Sequence, residues 1–284
     1  MFKRILICTD LDRTLLPNGS QQESSGARAC FSRLVSRPEV TLAYVSGRHR
    51  ELVEQAIREY RLPNPDWVIA NVGTTIYRAG EEEWLHWTVW EDDIATDWRG
   101  LMAKDLWPLF SDLPVLRLQE EAKQNRYKLS YYSSTRSDVD ALKKEMTRRL
   151  EAKNLAASLI YSVDEATETG LLDVLPARAS KLHAVEFLMQ HQGFEVNHTV
   201  FAGDSGNDLA VIASRIPSVL VANADSQVVA QAQALVRQNG TQAAFYLAQG
   251  GFLGMNGNYA AGILEGVAHY HPETWSWMEE GHEP

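Results

Sequence analysis

Asp10-Leu11-Asp12-Arg13-Thr14 follows directly on the apolar run Ile5-Leu6-Ile7-Cys8. A carboxylate can act as a nucleophile or carry a proton, and a pair of them suits a hard divalent cation such as Mg2+. Alternate side chains of an extended segment share a direction, so Asp10 and Asp12 can serve one pocket if the extension continues past the strand. An Asp pair at a strand end is also an ordinary turn signal and helix cap, and by itself the pair does not choose.

Three further segments add chemistry. Leu42-Ala43-Tyr44-Val45 runs into Ser46-Gly47-Arg48, followed by Leu52, Val53, Ala56 and Ile57 at helical spacing. Ser46 could cap that helix or, with free backbone N–H groups, present a hydroxyl to an anion. Ser180-Lys181 opens another helix, where a cation opposes the macrodipole unless an anion compensates it. Thr199-Val200-Phe201-Ala202-Gly203 runs into Asp204-Ser205-Gly206-Asn207-Asp208, adding two carboxylates without the ligand spacing of an EF-hand. A crevice at the carboxyl ends of parallel strands would collect all of these groups, and such sheets bind ligands there.

In these four segments the chain resembles haloacid-dehalogenase-superfamily phosphatases with an α/β cap. Asp10 and Asp12 match the nucleophile and acid/base pair, Ser46 the second motif, Lys181 the third, and Asp204 with Asp208 the fourth. Tyr127-Lys128-Leu129-Ser130-Tyr131-Tyr132, Leu172-Asp173-Val174-Leu175-Pro176 and Ala261-Gly262-Ile263-Leu264-Glu265-Gly266 most resemble the sucrose-phosphate phosphatase group. Many relatives carry glycine where Arg13 stands. Sucrose-type members often carry charge before the Leu172-Asp173 position, where this chain has Gly170-Leu171, and that leaves the sugar open.

The resemblance implies hydrolysis through an aspartyl-phosphate on Asp10, with Asp12 as acid and then base. It implies Mg2+ on the Asp10 carboxylate, the Asp12 carbonyl, Asp204 and Asp208. Ser46, Lys181 and backbone amides near Gly47 and Asn207 would hold the phosphoryl oxygens. Sucrose 6-phosphate is the expected substrate, and mannosylfructose phosphate is the alternative glycoside. Arg48, Asn125 and Lys128 are the expected sugar contacts. A phosphotransferase on the same scaffold and a non-catalytic sugar-phosphate sensor compete with this reading. The presence of both Asp10 and Asp12 counts against the sensor. The one protein partner it raises is a glycosyltransferase.

The elements that must position these groups alternate strand and helix, which predicts an α/β fold with a doubly wound, mostly parallel, Rossmann-like sheet. Strands are expected at Ile5–Thr9, Thr41–Val45, Trp67–Ala70, Thr199–Gly203 and Ser218–Val221, with a hairpin ending near Trp84–Trp87. An inserted α/β cap domain is expected over 89–171, and the core over 1–88 plus 172–284. Within the insert, Trp90 to Arg117 reads as helix broken at Pro108. A strand at Tyr127–Tyr132, a helix over Asp138–Lys153 with Asp138 as N-cap, and a strand at Ala157–Tyr161 follow.

A length of 284 residues suits a core plus an insert. The net charge of -10 argues against a general nucleic-acid binder. Two cysteines form no metal motif or disulfide framework. Met1-Phe2-Lys3-Arg4 leads into a strand without a signal peptide, and no apolar run approaches membrane-span length, so the cytoplasm is the expected setting. Trp84, Trp87, Trp90, Trp98 and Trp107 are read as packing residues, and Glu81-Glu82-Glu83 as a solvated turn. His183, His191 and His198 show no zinc pattern. Gly250-Gly251-Phe252-Leu253-Gly254 lacks the lysine of a phosphate loop and reads as a flexible connection.

Overall fold

The structure is a computed structural model, and it describes residues 3–80, 83–135, 138–164 and 168–279. Met1, Phe2, Glu81 and Glu82, on which two of the expectations above fall, lie outside them. In chain order the elements begin with β1 (Ile5–Thr9), α1 (Ala27–Val35), β2 (Val40–Val45), α2 (Arg50–Tyr60), β3 (Trp67–Ala70), β4 (Thr75–Arg78) and β5 (Leu85–His86). Next come α3 (Thr88–Ala95), α4 (Ala103–Leu106), β6 (Leu116–Leu118), β7 (Leu129–Ser134), α5 (Val139–Glu151), β8 (Ala157–Asp164) and β9 (Thr169–Pro176). The chain closes with α6 (Lys181–Gln192), β10 (Thr199–Gly203), α7 (Leu209–Ile212), β11 (Ser218–Leu220), α8 (Ser226–Asn239), β12 (Phe245–Leu247), α9 (Ala260–Tyr270) and α10 (Trp275–Met278).

The chain divides into two compact units, one of Met1–His86 with Lys181–Pro284 and the other of Trp87–Ser180. The first is built on an eight-stranded sheet of order β12-β11-β10-β1-β2-β3-β4-β5. The six strands from β12 to β3 are parallel, and β4 and β5 are antiparallel. Strands buried on both faces read as continuous apolar runs, which is why Ile5-Leu6-Ile7-Cys8 shows no alternation. Ile5, Ile7, Leu42, Tyr44 and Val200 pack in one cluster with residues of α1, α2, α9 and Met278. Helices α6 and α7 contact β3, β10 and β11. From β1 the order runs outward to β2 and β3 on one side and to β10 and β11 on the other, which makes its carboxyl end the switch point of the sheet.

The second unit has a four-stranded antiparallel sheet of order β6-β7-β9-β8. Trp90, Trp98, Phe110, Tyr131, Met146 and Leu172 form part of its buried interior. Asp138 caps α5 through a hydrogen bond accepted from the Ala141 N–H. Three expectations are corrected here. The boundary at 171/172 falls inside β9, because Thr169 to Val174 pair continuously with β7, and residues up to Ser180 belong with the insert. The segment from Trp90 to Arg117 is not one broken helix. It holds α3, α4 and short 3-10 turns at Thr96–Trp98 and Trp107–Leu109, and it ends in β6. Trp107 is half-exposed, unlike the buried Trp90 and Trp98. Among the described residues no helix is long and apolar enough to cross a membrane.

Candidate active site

Register brings the four motifs together. Thr9 lies opposite Ala202 on β10 and Tyr44 on β2, so Asp10 leaves β1 between two neighbouring strands whose next residues, Asp204 and Ser46, stand one position further along. The Asp10 N–H continues the ladder by donating to Ala202 O (2.9 Å), and the Ser46 N–H donates to Ile69 O (2.8 Å). Lys181, first residue of α6, places its Nζ 3.0 Å from Asp10 Oδ1 and 2.7 Å from Asp208 Oδ1, and donates to Asn207 Oδ1 at 3.0 Å. These carboxylates answer the macrodipole penalty on a cation at a helix start.

Asp208 is fixed from several sides. Its Oδ2 accepts from the N–H of Asp204 and Ser205 and from Ser205 Oγ. Gly203 makes this possible, since a Cβ there would stand 2.6 Å from Asp208 Cγ. Asp10, Asp204 and Asp208 are all buried and offer carboxylate oxygens within 4.8 Å of one another. Burial pushes the Asp10 carboxyl up to about 8, with Lys181 opposing and the charges of Asp208 and Asp204 adding to the rise. Asp204 is pushed up to about 6 by burial and by Asp208, against Thr14, Arg13 and Lys181. Burial disfavours the Lys181 ammonium, but Asp10 and Asp208 more than offset it and hold its pKa above the ordinary lysine value. Three converging hard oxygens, two of them reluctant to ionise, fit a divalent cation of the Mg2+ kind.

Asp12 lies on the other side of the turn. Arg48 grips it in a fork, with Nε 2.8 Å from Oδ2 and a terminal nitrogen 2.5 Å from Oδ1, and Asn18 Nδ2 donates to Oδ1 at 2.7 Å. Burial pushes the Asp12 carboxyl up, but Arg48 and Asn18 outweigh it and hold its pKa below the ordinary carboxylate value. Ser46 is fully buried, and its Oγ accepts from the Arg48 N–H at 3.2 Å. It does not cap α2, which begins four residues later with His49 at the N-cap position. Gly47 is the exposed residue between them.

Arg48 therefore sits against Asp12 in the first unit, whereas Asn125 and Lys128 belong to the insert. Asn125 closes a tight turn, its Oδ1 accepting from the Tyr127 N–H at 2.9 Å and its backbone pairing with Lys128. Lys128 Nζ donates to Lys123 O at 3.0 Å and lies 3.5 Å from Asp173 Oδ1. Sequence reasoning missed Thr14, whose hydroxyl donates to Asp204 Oδ1 at 3.0 Å, and Asn18 and Asn223. Asn223 Nδ2 donates to Arg13 O at 2.6 Å, and its Oδ1 accepts from the Tyr259 N–H at 2.8 Å. The only sequence signal for these is the presence of amides and a hydroxyl near turns. The glycine-rich stretch from Gly250 is also braced, because the Glu265 carboxylate accepts from the N–H groups of Gln249 and Gly250.

A protein of Nitrosococcus oceani described as a HAD-like hydrolase is 53% identical over all of this chain and 76% of its own length. Sucrose-phosphatase 2 of Nicotiana tabacum is 27% identical over 94% of this chain, which spans 59% of the tobacco protein. The solved sucrose-phosphatase of Synechocystis sp. PCC6803, determined with sucrose and phosphate, superposes with a TM-score of 0.72 at 23% identity. That match covers 95% of this chain and 98% of the Synechocystis one, and it shows the shared fold. The family model for sucrose-6F-phosphate phosphohydrolase matches residues 3–271. This chain belongs to the sucrose-6F-phosphate phosphohydrolase family of phosphatases.

Proposed function

We propose that this chain hydrolyses the phosphate ester of a sugar through an aspartyl-phosphate on Asp10, with Mg2+ as cofactor and sucrose 6-phosphate as substrate. The observation that carries the reading is the buried Lys181 bridging Asp10 and Asp208 beside Asp204. A carboxyl nucleophile and an anion-binding cation then share one crevice, and phosphoryl transfer depends mostly on such positioning and electrostatics.

Asp10 attacks phosphorus, the bond from phosphorus to the sugar oxygen breaks, and that oxygen takes a proton from the Asp12 carboxyl. In the second half Asp12, now a carboxylate, takes a proton from water. The water oxygen attacks the same phosphorus, which frees inorganic phosphate and regenerates Asp10. Asp12 ends protonated, ready for the next cycle. Lys181 and the Ser46 hydroxyl hold the phosphoryl oxygens while charge spreads over them, with the backbone near Gly47 and Asn207 completing the cradle. Bound by Asp10 and Asp204 with Asp208 beside them, Mg2+ would neutralise charge on those oxygens. The ion pair with Arg48 favours the base form of Asp12, so the acid half requires that fork to break. Asn125 and Lys128 of the insert are the proposed sugar contacts.

Phosphate release measured over sucrose 6-phosphate, mannosylfructose phosphate, fructose 6-phosphate, glucose 6-phosphate and an aryl phosphate tests the reading. The expected result is the highest kcat/KM on sucrose 6-phosphate, loss of activity on chelation and recovery with Mg2+. Equal cleavage of the monosaccharide phosphates would remove the disaccharide assignment, and full activity after chelation would remove the metal. Phosphate release that depends on an added alcohol would favour a phosphotransferase.

A further inference from the structure

We infer that Arg13 is a built-in counter-charge to Asp204 that weakens the site's hold on its divalent cation. The inference rests on the metal reading of Asp10, Asp204 and Asp208 given above. Arg13 Nε lies 3.5 Å from Asp204 Oδ2, and the Arg13 side chain is 46% exposed where that of Asp204 is 4% exposed. The opposite oxygen of Asp204 accepts from Thr14, so both oxygens already have partners.

The placement of Arg13 is built. Its backbone adopts the left-handed conformation, φ 57, which side chains bearing a Cβ disfavour. The conformation is held on both sides, by the Arg13 N–H donating to Asn18 Oδ1 at 2.8 Å and by Asn223 Nδ2 donating to the Arg13 carbonyl at 2.6 Å. Three buried carboxylates thus face two cations, with Lys181 serving Asp10 and Asp208 and Arg13 serving Asp204. A divalent ion on Asp204 has to share that carboxylate with the guanidinium, and like charges on one ligand repel. The same pairing compensates Asp204 when no cation is bound.

Mg2+ titrated calorimetrically into the chelated and desalted full chain tests the idea without reference to turnover. Arg13→Gln should bind Mg2+ about tenfold more tightly than the parent, as expected for removing one adjacent unit charge. Its melting temperature without cation should also fall. Arg13→Lys, which keeps the charge, should stay within about threefold of the parent. Arg13→Met is a second neutral variant should the glutamine protein not fold. Equal or weaker binding by the neutral variants overturns the inference alone, as does Arg13→Lys binding as tightly as they do. A neutral variant that changes only KM for the sugar phosphate would also overturn it, making Arg13 a substrate contact. Failure of every protein to bind Mg2+ overturns the metal reading and the inference with it.

Discussion

Asn223 is 3% exposed and uses both ends of its amide, tying the loop after Asp12 to the start of α9. Asn223→Ala leaves the Arg13 carbonyl and the Tyr259 N–H without those partners, and a buried unpaired group costs about 1–3 kcal/mol. Urea denaturation should show a loss of that size, and kcat should fall more than KM rises; a loss under about 0.5 kcal/mol would mean that water replaces the amide. Asp12→Asn should slow sugar-phosphate hydrolysis by about 10²–10⁴-fold. Formation of the phosphoenzyme from an aryl phosphate, whose leaving group needs no proton, should suffer less; equal losses in that step would deny Asp12 the acid role. His271 offers a pH handle outside the site. It is buried, its Nε2 has no hydrogen-bond partner, and its Nδ1 lies 3.2 Å from Glu273 Oε1 while its ring stacks on His198. Burial holds its pKa below the ordinary value, with Glu273 opposing and His198 assisting. The unfolded chain therefore binds the proton more readily, and stability rises with pH through this window. That contribution is fully present above about pH 6.5 and is lost as pH falls toward the folded value. The drop in melting temperature from pH 7.5 to pH 5 should shrink in His271→Phe, and an unchanged drop would clear His271. Asp10, Ser46 and Asp204 were legible because each follows an apolar run, and Lys181 because a cation at a helix start calls for an anion. Thr14, Asn18 and Asn223 were not, because a polar residue in a loop looks the same whether it braces a site or faces water.

Helix α9 shows what a close approach costs and where sequence patterns stop. Ala260 through Ala268 are all buried, and a Cβ on Gly266 would meet Val219 Cγ2 of β11 at 2.0 Å. Gly266→Ala should destabilise the protein by about 1–3 kcal/mol or more, the usual range for overpacking. Adding Val219→Ala should restore part of the loss, giving a favourable coupling in a double-mutant cycle. A neutral Gly266→Ala would show that α9 shifts freely on the sheet. The parallel strands β1, β2, β3 and β10 were readable because burial on both faces writes an unbroken apolar run. Strand β9 was not recognised as one element. Its residues alternate between buried and partly exposed positions, and Gly170 and Asp173 interrupt the apolar pattern. Strand β6 is three residues long with two of them exposed, too short to separate from the helical turns before it. The register that sets Asp10 beside the end of β10, where Asp204 follows, comes from pairing between segments almost two hundred residues apart, which no local pattern encodes.

The two units carry separate interiors, and the ends of the insert are tied to each other. The Arg178 N–H donates to Asp97 Oδ2 at 2.7 Å, its Nε donates to Asp97 Oδ1 at 3.0 Å, and the Ala156 N–H donates to Asp97 O at 3.0 Å. Residues 87–180 expressed alone should therefore melt cooperatively, with near-ultraviolet dichroism from the buried Trp90 and Trp98. A gradual melt with no such signal would show that the segment needs the rest of the chain to order. The thiols lie entirely on the other side of this division. Cys8 in β1 and Cys30 in α1 are at most 1% exposed, and Trp87–Ser180 contains no cysteine. Burial also raises the Cys8 pKa far above the range where a thiolate forms, and only the thiolate reacts. Labelling by a thiol reagent is thus a clock for one event, the opening of the parallel sheet and its helices, and it stays silent however often the insert breathes. When the reagent outpaces reclosing, the two cysteines time how long the sheet that carries Asp10 stays shut, with no residue introduced to report it.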